Sequence, residues 1–304
     1  MSFFKKKKIL ITHNGAFHTD DLFAAATLSI LNNDNVKIIR TRDSQIFEKG
    51  DYVFDVGGVY DPEKNKFDHH QRGGGGARPN GIPYSSFGLV WKKYGEQICG
   101  DKEVAVYIDK KIVQPIDAID NGMDITLSKV NDVEHYTVND IFMAFYPTWK
   151  EGSLDVNKIF KKEVKKITPL LKREIVIAKD GIEGKKIIIE AYNNTEDKRI
   201  IVLDKPLHRH LIQDILPRFD EPVYVIYPSS HDTSWKVEAV RKNTATMESR
   251  KLFPESWRGL MNNDPQLRDL SGVGGVTFCH QSGFFAHVKS KEGAITLAEK
   301  ALLA

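Results

Sequence analysis

The first hundred residues alternate two hydrophobic periods. "KKILITH" is a strand-like run that ends in a loop at Asn14 and Gly15, and "DDLFAAATLSILNN" then spaces Leu22, Phe23, Ala26, Ile30 and Leu31 as a helix does. "NVKIIRTR" and "DYVFDVGG" read as two further strands, the second closed by Gly57 and Gly58, and "PYSSFGLVWKKYGEQI" sets Phe87, Val90, Trp91 and Tyr94 at helical spacing. Strands that alternate with helices satisfy their backbones as a parallel sheet with helices on both faces. In such sheets polar groups gather beyond the carboxyl ends of the strands. His13 and Asp55 both fall at such ends.

From Lys102 to about Ala178 the pattern is mainly helical. "KEVAVYIDKKIVQPIDAIDNG" is expected to kink at Pro115, and "VNKIFKKEVKKITPLLKREIVIAK" to form a long amphipathic helix whose lysines make a solvated face. After "DGIEG" the pattern turns to strands: "KKIIIEAY", "RIIVLDK", "PVYVIYP" and "WKVEAVRK". A glycine-rich turn, "SGVGGVTFCH", a short strand near Gly283 to His287 and the helix "KEGAITLAEKALL" close the chain. The expected architecture is an α/β domain over 1–180, a parallel sheet with helices on both faces, followed by a smaller α+β domain over 181–304.

Composition removes several classes of protein. A chain of 304 residues, 41% hydrophobic and 28% charged, has enough apolar side chains for two cores. Its apolar runs are far too short to span a bilayer, and "MSFFKKKKIL" lacks the apolar core of a signal peptide, so a soluble, cytoplasmic protein without a membrane partner is expected. The two cysteines, Cys99 and Cys279, have no CxxC spacing, which excludes a disulfide framework and a thiolate zinc site. A formal charge of +3 is too small to make the whole surface attract nucleic acid, so a polyanion would need a local patch. Lys5 to Lys8 read as a solvated tail.

Four short segments concentrate imidazole and carboxylate: "HNGAFHTDD" with His13, His18, Asp20 and Asp21; "FDVGG" with Asp55; "FDHHQR" with Asp68, His69 and His70; and "IDAIDNG" with Asp117 and Asp120. Such donors without thiolate suit manganese first, with cobalt, iron and zinc next, whereas magnesium prefers all-oxygen shells. With roughly six candidate ligands among them one ion would be oversupplied, whereas two ions about 3.5–4 Å apart, sharing one carboxylate, would use that number. Asp55, closing a central strand, is the natural bridge. Taken singly each segment reads as a turn or cap, and Asp20 and Asp21 would serve the dipole of their helix.

The order H-x4-H-x-D, D-V-G-G, F-D-H-H-Q, D-N-G resembles the DHH superfamily of two-domain phosphoesterases, and within it the MYG-type family. Further shared signatures are "PTW" at Pro147 to Trp149, "ESRKLFPESWRGL" and "GVTFCHQSGFFAHVKSKEGAITLAEKAL". The resemblance implies that His13 and His18 hold one ion, that Asp20, His69 and Asp120 hold the other, and that Asp55 bridges them. Asp117, one turn before Asp120, is the alternative ligand. It further implies that His70 faces the substrate phosphate and that Asp68 orients an imidazole. His18 stands where many superfamily members have aspartate.

On this resemblance the chain would be a two-metal phosphodiesterase, manganese-dependent with magnesium, cobalt or zinc as other candidates, acting as a 3′-to-5′ exonuclease on RNA or short oligonucleotides. A pyrophosphatase, a cyclic-dinucleotide hydrolase and a non-catalytic regulatory protein are the alternatives. Arg72 and Arg78, flanking Gly73 to Gly76, are candidate phosphate contacts, and the second domain would add Gly274, Gly275, His280, His287, Lys289 and Lys291, with Arg241 and Arg258. Trp149, Trp235 and Trp257 are candidate base-stacking rings or core residues. The oligomeric state stays open, a dimer included.

Overall fold

The computed structural model describes residues 6–126, 130–152, 154–261, 264–268, 270 and 275–304. The chain divides into two compact units, 1–179 and 180–304. In the first, β1 (Lys8–Thr12) leads to α1 (Thr19–Leu31), β2 (Val36–Arg40), the single turn α2 (Ser44–Phe47) and β3 (Tyr52–Phe54). A hairpin of β4 (Tyr60–Asp61) and β5 (Lys66–Phe67) completes a sheet of order β2-β1-β3-β5-β4, parallel except for β4 at one edge. These last two strands are only two residues long, so their alternation has no period to read.

Helix α1 is buried almost all round, with Leu22, Phe23, Ala24, Ala25, Ala26 and Leu28 essentially inaccessible. Each large side chain among them contributes about 1.5–3 kcal/mol by leaving water. This burial fixes the helix against α3 (Ser86–Cys99) and holds its first turn, with Asp20 and Asp21, rigidly at the sheet edge. The kink expected at Pro115 is spread out. Helix α4 (Lys102–Ile108) passes into a π-helical turn at Asp109–Val113, and α5 (Gln114–Asp120) begins just before the proline. α6 (Val138–Met143) follows.

The expected strand "KKIIIEAY" is not a strand. Helix α7 runs without interruption over Val156–Asn194, through Gly181 and Gly184, and the division between units falls inside it. Three consecutive isoleucines suit a buried helical turn as well as a strand. Here Ile188 is buried in a cluster with Ile201, Ile212 and Val225. Two helical glycines cost about 1 kcal/mol each against alanine. Gly184 has a packing reason, because a Cβ there would meet Leu211 at 2.6 Å.

The second unit contains β6 (Ile200–Val202), α8 (Arg209–Ile215), β7 (Tyr224–Pro228), β8 (Trp235–Ala239), the turn α9 (Pro265–Arg268), β9 (Val276–Cys279), β10 (Phe285–Val288) and α10 (Lys291–Leu303). Its mixed sheet has the order β6-β7-β8-β10-β9, with β6 and β7 parallel and the other pairs antiparallel. The segment expected as a glycine-rich turn therefore holds a strand, β9. Both units are mixed α/β, and among the described residues no helix is long and apolar enough to cross a membrane.

Candidate metal centre

The loop after β1, the turn after β3, the residues after β5, the start of α1 and the end of α5 converge at the carboxyl edge of the first sheet. Asp55 leaves β3 with φ +54°, in the left-handed region that aspartate tolerates better than most residues, and Gly57 and Gly58 continue the turn at +100° and +66°. That reversal places the carboxylate between two imidazoles. Asp55 Oδ2 lies 3.0 Å from His13 Nε2, and Asp55 Oδ1 lies 3.4 Å from His69 Nε2. Ser86 Oγ, at the start of α3, donates to Asp55 Oδ1 at 3.1 Å.

Around this carboxylate stand three more. His13 Nε2 is also 3.1 Å from Asp21 Oδ2, while His69 Nε2 is 3.4 Å from Asp120 Oδ2 and 4.0 Å from Asp20 Oδ2. His18 Nδ1 is 4.0 Å from Asp120 Oδ1. Three ligand-competent clusters result: His13, His18 and Asp55; Asp55, His69 and His70; His18, Asp20 and Asp120. Asp55 is common to two of them. A cavity of about 320 Å³ opens over His13, His18, Asp55 and His70, with Arg42 on its wall.

The electrostatics favour a cation here. Burial and the neighbouring carboxylates of Asp55, Asp120 and Asp21 push the Asp20 carboxyl well up, and burial also raises Asp21 and Asp120. Asp55 is held low despite its burial, because His13 and His69 face it. Burial alone would lower His13, yet Asp21 and Asp55 outweigh it and push the imidazole up to about 10. Asp20 Oδ1 is buried without a hydrogen bond, while Asp21 Oδ2 and Asp55 Oδ2, likewise buried, are met only by His13 Nε2 at 3.1 and 3.0 Å. Unpartnered buried carboxylate oxygens are costly unless a cation meets them. Carboxylate and imidazole oxygens and nitrogens at this spacing fit divalent metal ions.

Asp68 fastens the adjacent turn. Its carboxylate accepts from the backbone N–H of Gly58 at 2.6 Å, His69 at 2.8 Å and His70 at 3.1 Å, and Oδ1 lies 2.8 Å from His70 Nδ1. His70 is half exposed at the cavity, and Asp68 raises its pKa. Asp117 lies apart from the clusters. It is fully buried and accepts from Ser85 Oγ (2.5 Å), Gly88 N (3.0 Å) and Arg78 Nη1 (2.6 Å). Arg78, expected at a phosphate, is instead a buried partner of Asp117 and of Asp109 at 2.8 Å.

Three contributors escaped the sequence reading as members of the centre. Asp21 meets His13 while also accepting from the His18 N–H at 3.1 Å, so its cap role and its place in the cluster coincide. Arg42 Nη2 lies 3.3 Å from His13 Nδ1, and Ser86 holds Asp55. The doubled aspartate was the one visible signal; nothing local marks Arg42 or Ser86.

Of the other candidates, Arg72 is exposed and Gly274 lies outside the described residues. Arg241 is half-buried with an unpartnered Nε, and its N–H donates to Gln213 Oε1. Arg258 Nε donates to Phe253 O at 2.8 Å beneath Gly283, and Lys291 pairs with Asp204 at 2.6 Å. Gly275, at φ +136°, accepts from the Lys289 N–H. His280 Nδ1 accepts from the Ser282 N–H, His287 Nδ1 lies 3.3 Å from Ser234 Oγ, and Lys289 is exposed. Trp149 is 87% exposed, whereas Trp235 and Trp257 pack against the second core.

The fold and site define a two-unit α/β protein with a carboxylate–imidazole centre at a parallel sheet edge. The chain belongs to the MYG1 family: the family profile described as "Uncharacterised protein family (UPF0160)", labelled for MYG1 exonuclease, matches residues 9–302. It is 31% identical over 325 residues to a MYG1 protein of Caenorhabditis elegans, covering 96% of this chain and 94% of that one. It is 31% identical over 320 residues to the MYG1 protein of Dictyostelium discoideum, covering 96% of both chains. A Bos taurus relative named MYG1 exonuclease is 31% identical over 325 residues, covering 96% of this chain and 84% of the relative.

Proposed function

We propose that this chain is a metal-dependent exonuclease of the DHH phosphoesterase type, removing nucleotides from RNA or short single strands in the 3′-to-5′ direction, with two divalent ions, manganese first, at the centre. The observation that carries the reading is the division of Asp55: one oxygen faces His13 and the other faces His69. His13 and His18 would hold one ion, Asp20, His69 and Asp120 the other, and Asp55 both. The name of the bovine relative supports the nuclease class. Bound there, the ions would supply charge for the phosphoryl oxygens and acidify an attacking water.

The chain's own residues supply the rest. Asp68 pins His70 Nδ1, which leaves the other ring nitrogen free to donate to a phosphoryl oxygen and offset charge that grows on it. Arg42, on the cavity wall, adds a fixed positive charge beside His13. Ser86 keeps the Asp55 carboxylate from rotating. In the second unit, His280, His287 and Lys289 on and around β10 are the proposed substrate contacts.

The test is to incubate the protein with end-labelled RNA, pyrophosphate and cyclic dinucleotides, with and without manganese, beside His69→Ala. Metal-dependent release of mononucleotides from RNA, lost in the variant, is expected. Turnover of pyrophosphate or cyclic dinucleotides alone would reassign the substrate, and unchanged turnover in His69→Ala would refute the site.

A further inference from the structure

Lys161, Lys165 and Lys172 of α7 are in neither the core clusters nor the metal centre. Lys161, Lys165 and Lys172 recur at intervals of four and seven, so they share one helical face. That face, with Lys7, lines a cavity of about 510 Å³ beside Val36 and Ile38 of the edge strand β2. Against four ammonium groups the lining offers one carboxylate, Asp34, which sits 2.7 Å from Lys172 Nζ. Lys7, Lys161 and Lys165 are exposed and have no ionic or hydrogen-bonding partner for their ammonium groups among the described residues.

The groove runs along α7 from the amino ends of β1 and β2 toward the metal-bearing edge, and stops short of it at Lys161, one helical turn after Asn157. Near the first turn of α7, Asn157 accepts from Arg40 Nη1 at 3.3 Å, and Arg40 Nη2 donates to Gly15 O at 3.1 Å, in the loop between His13 and His18. At the far end Lys172 reaches Asp34, beyond the last turn of α1. From Lys161 to Lys172 the helix rises about 16 Å. A single inorganic anion cannot engage cations spread over that length, whereas a run of phosphates can. The site is concave, which suits a threaded strand; a planar bilayer would need a convex or flat basic face.

We infer that this groove is a second binding site, a track for the sugar–phosphate backbone of a single-stranded nucleic acid whose end is processed at the metal centre. The inference rests on the nuclease reading for its ligand, but it concerns residues that the chemistry does not use. It makes affinity depend on strand length. A strand of a few nucleotides reaches only the centre, and a longer one also reaches the lysines.

The experiment compares the full chain with Lys161→Glu/Lys165→Glu and the milder Lys161→Gln/Lys165→Gln, their folding checked by circular dichroism. Anisotropy of labelled 3- and 20-nucleotide RNA, in EDTA so that nothing is cleaved, gives affinity and its salt dependence. Manganese-dependent cleavage of the 3-nucleotide strand is measured in parallel. The 20-nucleotide affinity should fall at least about tenfold in the charge-reversed variant, and the log–log salt slope by about 1.4, as for two lost phosphate contacts. Binding and cleavage of the short strand should stay within about twofold. Equal loss for both lengths, or no loss for the long one, overturns the groove. So does a variant that loses only binding to phosphatidylserine vesicles, which would assign the lysines to a membrane. If the wild type cleaves no RNA yet shows the length-dependent loss, the nuclease reading fails and the groove stands.

Discussion

The two oxygens of Asp55 and the ring of His69 form one relationship on which the site turns: Oδ1 faces His69 Nε2 at 3.4 Å while Oδ2 faces His13 Nε2 at 3.0 Å on the other side. A carboxylate placed this way is shared by construction. It gets there because the residue after β3 takes a left-handed conformation and the two glycines that follow let the chain turn back. Asp20, Asp21 and Asp120 surround it with more negative charge than two imidazoles offset.

His70 should matter for turnover and not for metal. Its Nδ1 is tied to Asp68, so in His70→Gln the manganese content should be unchanged while kcat on RNA falls about 10²–10³-fold. Metal analysis beside steady-state kinetics checks this. Loss of an ion in the variant would make His70 a ligand instead.

Gly88 should tolerate no side chain. A Cβ there would run into the Asp117 carboxylate, which sits in a fully buried network with Arg78 and Ser85. Gly88→Ala is therefore expected to lose on the order of 3 kcal/mol of stability, read by urea unfolding. A loss below about 1 kcal/mol would mean that the network can shift aside.

The same carboxylate carries a pH signature. Burial, opposed by Arg78, pushes the Asp117 carboxyl up to about 6 from an ordinary value near 3.8. The folded state then binds this proton more tightly than the unfolded chain. Its contribution to stability is present below about pH 4 and is lost as pH rises through about 6, by on the order of 2–3 kcal/mol. The advantage of wild type over Asp117→Asn in unfolding free energy should shrink by that amount between pH 4 and pH 7. An advantage that grows with pH would show that Arg78 dominates.

Much of the first unit was legible because its signals are local. "KKILITH" and "DDLFAAATLSILNN" carry their periods within one element, and β1 and α1 form where those periods place them. "KKIIIEAY" misleads for the opposite reason: three adjacent β-branched residues say that a segment is buried, and only the packing of Ile188 and Gly184 says that it is a helix. The site follows the same division. Histidines and aspartates in loops could be named from the chain, but the pairing of Arg78 with Asp117 and the approach of Arg42 and Ser86 are made across 39, 29 and 31 residues. No window along the sequence contains them.

The sharing of Asp55 is tested most directly by anomalous diffraction from crystals of the protein soaked in manganese. Two peaks about 3.5–4 Å apart are expected, one on the His13 side and one on the His69 side of the Asp55 carboxylate, and Asp55→Ala should lose at least one of them. A single peak in the wild type, or two peaks that persist in the variant, would contradict the account.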